Sequence, residues 1–438
     1  MKKQPEIKRT FFQVIQNTLT AFFRHAYQKV CSDIHKGFKL LTSFLKKRYL
    51  FLRDILFINI LLFIMILILG LITFNVSFFD PFKQAFKDFS FANVYFAKMN
   101  DTTRVDTNII LINTGMLSRV GIAKLITGIT RYHPKVIGID HIFLARKPND
   151  SILAGALRKA PAVVGACRLY PLPGGKHSKL DKSNPYFPVS DYGIVNMPAD
   201  DPTFSTLRHT QFRYVVSKDT LYSFAAEIVN RYDPDAFERA RPWFDEYQII
   251  NYSGNQQSFL TIDARHFSDS LADLSIVKGK IVLLGYMGDS LGAAKKLEDI
   301  YYTPMNSRIA GRTSPDMYGV VIHANIISMI LGQSFIYSVP FFYECVFAFM
   351  ITFIHLLVIF PLYRSDHKYY ELLASTLQYF SSGILLYIYF ILFAKTQVSF
   401  NMTLTIIGLI SMKVVINIYY SIIKFCNRFF IFKTSINK

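Results

Sequence analysis

From residue 55 to 76 the chain reads ILFINILLFIMILILGLITFNV, 22 residues without a charge. At about 1.5 Å of rise per residue such a helix crosses a hydrocarbon core of about 30 Å, and in lipid a helix keeps every backbone polar group paired. The run predicts a transmembrane helix over 55–76. The 54 residues ahead of it exceed the basic leader of a signal peptide, and no small-residue cleavage site follows, so the anchor is expected to be retained. Three further apolar runs predict spans over 340–363, 372–394 and 398–420, separated by links too short to hold domains. Four cysteines, Cys31, Cys167, Cys345 and Cys426, are too scattered for a disulfide scaffold or a paired-cysteine zinc site.

Orientation follows from where the cations lie. Residues 1–54 carry 12 Lys+Arg against 3 acids, the tail 421–438 carries Lys424, Arg428, Lys433 and Lys438 with no acid, and Arg364 and Lys368 flank the link between the second and third spans. Basic flanks stay cytoplasmic, so both termini are expected inside and residues 77–339 outside, in the periplasm or the extracellular space, around a bacterial inner membrane. The outer stretch holds 29 Lys+Arg and 24 acids. The net charge of +19 is therefore mostly topological, and it points to anionic membrane lipid as a partner in place of nucleic acid. Within the arm, Leu19, Phe22, Phe23, Ala26, Tyr27 and Val30 keep helical spacing, which predicts an interfacial helix whose apolar face lies among headgroups or against a partner helix.

The outer region alternates strand and helix patterns. NIILIN (108–113) and KVIGID (135–140) read as strands around a helical GIAKLITGITRYH, a β-α-β unit whose crossover places both strands in parallel. Asn113 and Asp140 then share the C-terminal edge of the sheet, where ligands gather. Further strands are predicted at 162–169, 192–196, 211–217, 247–253 and 280–285, with an exposed loop over 171–188 and a last helix over 318–331. The fold class expected is an α/β extracytoplasmic domain inserted between one N-terminal and three C-terminal transmembrane helices.

The pieces DTNIILIN, KVIGIDHIF, YGIVNMPADD followed by Arg208, LYSFAAEIV, IINYSG, GKIVLLGYMGDSLGAAKKLEDIYYTP and YGVVIHANIISMIL stand in an order that resembles the second type of CHASE domain, an extracytoplasmic sensory module associated with cyclases and histidine kinases. The resemblance covers nearly all of 105–332 and extends to the plan of one span before the domain and three after it. It implies a sensory domain, with Arg208, Asp299 ahead of Thr303-Pro304, His323 and Asn325 at family positions. Asn113 stands where the family commonly has a carboxylate, and GMLSRVG replaces its Trp/Pro-rich stretch. Family members often continue into a kinase or cyclase; only 18 residues follow Tyr420, so no catalytic output domain is expected.

Each candidate residue has two readings. Asp140 beside His141 suits a cation or cationic ligand, or caps a turn. His323 near the start of its helix either meets a ligand or holds helix against sheet. Gly285, Gly288 and Gly292 fit neither the dinucleotide nor the P-loop fingerprint, and the chain has no HExxH, no GxSxG and no paired metal-ligand cluster, so no enzyme activity, cofactor or metal is expected. The function expected is a membrane sensor that detects an unknown extracytoplasmic ligand through Asp140, His141, Arg208, Asp299, His323 and Asn325. It would pass the signal to a separate membrane, cytoplasmic or envelope protein, and a homo-oligomer is compatible with this plan. The alternatives are an architectural envelope scaffold and, further off, an extracytoplasmic hydrolase using Asp140, Asp299 and His323.

Overall fold

The computed structural model describes residues 49–75, 91–98, 104–171, 178–197, 206–216, 219–267, 274–291, 299–306, 314–365, 368–429 and 434–435. The interfacial helix expected within the basic arm lies outside these residues. In chain order the main elements are α1 (Tyr49–Asn75), α2 (Phe91–Lys98), β1 (Asp106–Asn113), α3 (Arg119–Thr130), β2 (Val136–Ile139), α4 (Asp150–Lys159), β3 (Ala162–Pro171), β4 (Ser178–Lys182) and β5 (Asp191–Ile194). There follow α5 (Phe224–Tyr232), β6 (Phe259–Asp263), β7 (Ile281–Gly285), α6 (Gly319–Leu331), α7 (Phe341–Arg364), α8 (Tyr370–Thr396) and α9 (Thr403–Cys426).

Helices α1, α7, α8 and α9 are long and apolar enough to cross a membrane. Among the described residues α1 runs from Tyr49, so Arg53 and Asp54, at the end of the basic arm, lie within a helix continuous with the apolar run and pair at 3.0 Å. The fourth helix begins at Thr403, not at residue 398. Val398–Ser399 instead pairs in parallel with Tyr337–Ser338, and the Asn401 side chain accepts from Thr403 N at 3.0 Å, capping the helix there.

The chain divides into two units, Met1–Gly70 with Cys345–Ser382 and Leu404–Lys438, and Leu71–Glu344 with Gly383–Thr403. In the first, Asn59 Nδ2 donates to Phe349 O at 3.0 Å and the Thr352 hydroxyl lies 2.8 Å from Asn59 Oδ1. A Cβ at Gly408 would stand 2.8 Å from Thr352 Cγ2, so a glycine is what lets α9 approach α7 this closely. Lys413 pairs with Glu371 and donates to Ser375 Oγ at 3.0 Å.

The second unit is built on a mixed sheet of seven strands in the order β6-β1-β7-β2-β3-β4, with β5 also paired to β3. All pairings are parallel except β3 with β4. Strands β1 and β2 are parallel as expected, but β7 lies between them. Two strands of this sheet were not anticipated. β4 falls within the expected loop 171–188 and folds back on β3, and β6 adds an edge beside β1. The expected strands at 211–217 and 247–253 shrink to Arg213–Val216, in a separate hairpin with Asp219–Tyr222, and to Gln248–Ile249, paired with His209–Thr210.

Alternation along the strands sorts the two faces. Ile110, Ile112, Ile137, Ile139, Val282 and Leu284 pack with Ile122, Leu125, Ile126 and Ile129 of α3 and Leu153 and Leu157 of α4. Each such fully buried side chain contributes roughly 1.5–3 kcal/mol of transfer free energy. Gly138 faces the other way, where an added Cβ would stand 2.7 Å from Ile228 and 3.1 Å from Phe224 of α5. Gly285 faces α6 so closely that a Cβ would lie 2.6 Å from that of Val320. Residues two apart on a strand share a face, so Asp140, two beyond Gly138, belongs to the side covered by α5 and α6.

Candidate functional site

The C-terminal edge of the parallel strands is stitched by side chains whose roles follow from their atoms. Asn113, fully buried at the end of β1, donates through Nδ2 to Gly288 O at 3.1 Å and accepts through Oδ1 from Gly115 N at 3.0 Å and Met287 N at 2.8 Å. A carboxylate there would lose the donor to Gly288. Thr114 has one hydroxyl proton, and Gly285 O, 3.1 Å away, is an acceptor only. Thr114 Oγ1 also lies 2.8 Å from His141 Nε2, so this hydroxyl bridges the Gly285 carbonyl and the imidazole. Burial lowers His141 to about 4, so this ring is neutral at physiological pH.

Asp140 follows β2, with its N–H held by Leu284 O at 2.8 Å. Asp299 reaches the same place from a different part of the chain. Ile300–Tyr301 pairs antiparallel with Met317–Tyr318, Asp299 O accepts from Gly319 N at 3.1 Å, and the residue adopts a left-handed φ of 54°. Its carboxylate lies against Gly319, where a Cβ would stand 3.0 Å from Oδ1. The two carboxyls feel one another. Burial, then the neighbouring Asp299, pushes Asp140 well above the ordinary carboxylate range, while Arg168 pulls it down. Crowding by surrounding protein raises Asp299 too, although the residue stays open to solvent on one side, and it is opposed by the Arg168 guanidinium and a hydrogen bond from the Tyr301 hydroxyl.

His323, only 4% exposed, presents its ring edge-on to Phe224 at 5.1 Å. Burial lowers it to about 3, and its Nδ1 has no hydrogen-bond partner among the described residues. Asn325 is spent on backbone. Its Oδ1 accepts from Ser253 N at 2.8 Å, Ser253 Oγ at 3.0 Å and Gly254 N at 3.2 Å, and its Nδ2 lies 2.9 Å from Gly254 O and 3.0 Å from Val321 O. Arg208 sits in the same neighbourhood, its carbonyl accepting from Ile250 N at 2.8 Å and its charge acting on Tyr252. The structure thus gathers Asp140, His141 and Asp299 at the sheet edge, places His323 one helical turn beyond Gly319, and puts Arg208 and Asn325 around the 250–254 loop. Arg168, Tyr301 and Thr114 complete the edge cluster. Arg168 was findable, since it stands near the end of the third strand on the edge that carries Asp140.

Among the described residues no group of three or more His, Cys, Asp or Glu is arranged to hold a metal ion. Compared with known proteins, the chain matches the family model of the CHASE2 domain over residues 58–360, more than half its length. No curated protein and no solved structure matches it.

Proposed function

The chain belongs to the CHASE2 domain family, and on that premise we propose that it is a membrane-anchored receptor whose α/β unit binds a ligand at the Asp140–Asp299 edge and signals to a separate protein. CHASE2 is a family of sensory domains, and the chain has four helices long and apolar enough to cross a membrane. The observation that carries the reading is the convergence of two carboxyls with raised proton affinity, from distant parts of the chain, at the sheet edge where parallel α/β folds take ligands. Groups held this way cost folding energy, and a receptor site repays that cost when its ligand arrives.

In this reading residues 77–339 face away from the cytoplasm of a bacterial inner membrane and both termini face in, as the basic flanks favour. A ligand with unequal affinity for two arrangements of the α/β unit shifts their populations. Output passes to another polypeptide through the basic arm or the membrane helices.

Orientation is tested by placing single cysteines at Leu144, exposed beyond β2, and at Arg428, beyond α9, in a background lacking the four native ones. Impermeant maleimide on spheroplasts should label position 144 and spare position 428 until the membrane is opened; the reverse pattern refutes the receptor. Sensing is tested by crosslinking the full chain and its Asp140→Asn variant in cells and identifying the copurifying proteins. A receptor changes its partners when the site is altered; an identical partner set in both favours a scaffold.

A further inference from the structure

Each of the four long helices has residues in both units of the chain, and the crossings differ in kind. In α7 and α9 the border falls in the first turn, after Glu344 and after Thr403. In α1 and α8 it falls inside the helix, after Gly70 and before Gly383. These two and Gly408 are the only glycines in the four helices. Gly408 is required by its close approach to Thr352, whereas a Cβ added at Gly70 or Gly383 would meet nothing within 4 Å. Neither is there to admit a neighbour, so what remains to account for them is backbone freedom. Glycine weakens a helix interior relative to alanine, and sharp bends collect at glycine and serine. A second observation, independent of the borders, comes from α8. Just before Gly383, the Ser382 hydroxyl donates to Gln378 O at 2.7 Å and the Ser381 hydroxyl to the same carbonyl at 3.2 Å. Hydroxyls that bond a carbonyl one turn back compete with the backbone ladder and bend helices. The two halves of α8 are also held by different partners. Before the glycine, Tyr370 meets Tyr363 of α7 edge-on at 5.3 Å and Ser375 accepts from Lys413 of α9. After it, Phe393 meets Tyr95 and Phe96 of α2 edge-on at 4.9 and 6.0 Å, and Phe96 packs on Tyr252 at 6.1 Å.

We propose that Gly70 and Gly383 are hinges at which α1 and α8 bend, so that the C-terminal segment of each helix turns with the α/β unit while its N-terminal segment stays with the membrane unit. Helices α7 and α9 need no such glycine, because their crossings lie where a link meets the helix. Those two links are tied together within the α/β unit: Tyr337–Ser338 pairs with Val398–Ser399, and Glu344 Oε1 accepts from Asn401 N at 2.8 Å. A few residues that absorb a backbone change while the packed bodies on either side move whole are the ordinary construction of a hinge. A rearrangement of the α/β unit then reaches the membrane as a change of angle at one point in each of two helices. The receptor reading supplies what drives the bend; the bend itself does not depend on it.

The test uses the full-length protein in nanodiscs, in a background lacking the four native cysteines, spin-labelled at a pair of introduced ones. One stands at Leu144, exposed in the α/β unit, and the other at Arg428, exposed beyond α9 in the membrane unit. Double electron-electron resonance should resolve two distances for this pair. A control pair at Leu144 and Tyr247, both exposed within the α/β unit, should give one. Gly70→Ala and Gly383→Ala fit the space and favour the unbent helix, so each should lower the bent population about fivefold. Gly155→Ala adds the same methyl to α4, where an added Cβ also meets nothing within 4 Å but no crossing lies, and should leave the ratio unchanged. Should an alanine variant fail to fold, the native chain still decides through its two label pairs. A single distance for the 144–428 pair, as narrow as that of the control, overturns the proposal. So does a ratio that Gly155→Ala changes as much as the other two variants do, or that Gly70→Ala and Gly383→Ala leave as it was. In each of these cases the receptor reading survives with another route for its signal. If the hinge behaves as expected while the crosslinked partners of the native chain and Asp140→Asn are identical, the hinge stands and the receptor reading falls.

Discussion

Two carboxylates in the two units of this chain have opposite fates. Asp54, in the membrane unit, is fully buried and accepts from Tyr419 OH at 3.0 Å, Thr434 Oγ1 at 2.8 Å, Ser435 N and Oγ at 2.7 Å each, and Arg53 at 3.0 Å. Its neighbours are donors, drawn from α1, α9 and the tail beyond α9. Asp140 has a second carboxyl beside it and a neutral imidazole next in sequence, and its proton affinity rises. Burial alone does not set what an aspartate does; the sign and hydrogen-bonding character of its neighbours does. The membrane carboxylate is a fastener. The one at the sheet edge sits beside a second acid, with Arg168 opposing the rise in its proton affinity.

The comparison breaks first at its strongest point. Replacing Asp54 by Ala leaves a set of buried donors without an acceptor, each costing about 1–3 kcal/mol, so a loss of about 3 kcal/mol or more is expected. Unfolding of the purified protein by increasing SDS fraction measures it. Asp140→Asn, in contrast, removes a strained acid and should leave the midpoint at neutral pH unchanged or raised. If both substitutions destabilise alike, the distinction between fastener and poised acid is wrong.

Asn325 sharpens the same contrast within the α/β unit. It stands in a family-like segment beside His323, yet every amide atom is committed to backbone around Ser253, Gly254 and Val321. Asn325→Ala should cost about 2–3 kcal/mol by leaving buried backbone groups unpaired, seen as an earlier unfolding transition in urea followed through Trp243, the sole tryptophan, which stacks on Phe335 in the α/β unit. His323→Phe keeps the packing on Phe224 and should cost less stability. An Asn325 variant as stable as the native chain would show that these bonds do not hold the 250–254 loop.

What could be read from the sequence follows the range of the forces involved. The central strands β1, β2 and β7 are covered on both faces, so they appear as apolar runs: NIILIN, VIGI and IVLLG. β4 and β6 are edge strands, SKLDK and FLTID, and an edge strand needs little apolar surface and leaves a weak pattern. The placement of β7 between β1 and β2 joins segments separated by most of the domain, which no local periodicity reveals. Hydropathy located the four long apolar helices but not their ends. Arg53 and Asp54 hid the first turns of α1, and the apolar Val398–Ser399 pairs with Tyr337–Ser338 where a continuous helix was expected. At the site, Asp140 and His141 were legible from the strand-end rule. Asp299 entered by family position alone, and its partnership with Asp140 depends on the Ile300–Tyr301 pairing with Met317–Tyr318. Arg208 and Asn325 matched the family pattern as well, but a motif match records that a residue matters without recording what it touches.

The smallest expected effect is in the pH dependence, and there the two kinds of poised group at the edge oppose each other. A carboxyl whose folded value lies above its unfolded one keeps its proton longer in the fold. Its contribution to stability is therefore greatest below the ordinary 3.8 and is lost as pH rises through the raised folded values of the Asp140–Asp299 pair. His141 and His323 act with the other sign. Held neutral by burial at about 4 and about 3, they contribute fully above the ordinary 6.5 and lose that contribution as pH falls toward those values. Across the shared window, roughly pH 4.5 to 6, the slopes oppose, and the native α/β unit should change stability only weakly with pH. Asp140→Asn removes one of the two carboxyls and its push on the other, so the two imidazoles prevail and stability should climb with pH in that window. His141→Gln keeps an N–H for Thr114 but cannot titrate, so its stability should decline over the same range. Urea midpoints followed through Trp243 at intervals of about half a pH unit resolve these slopes. Parallel curves for the native chain and both variants would mean that the carboxyls and imidazoles at this edge do not titrate against one another, and that the edge is no more poised than Asp54.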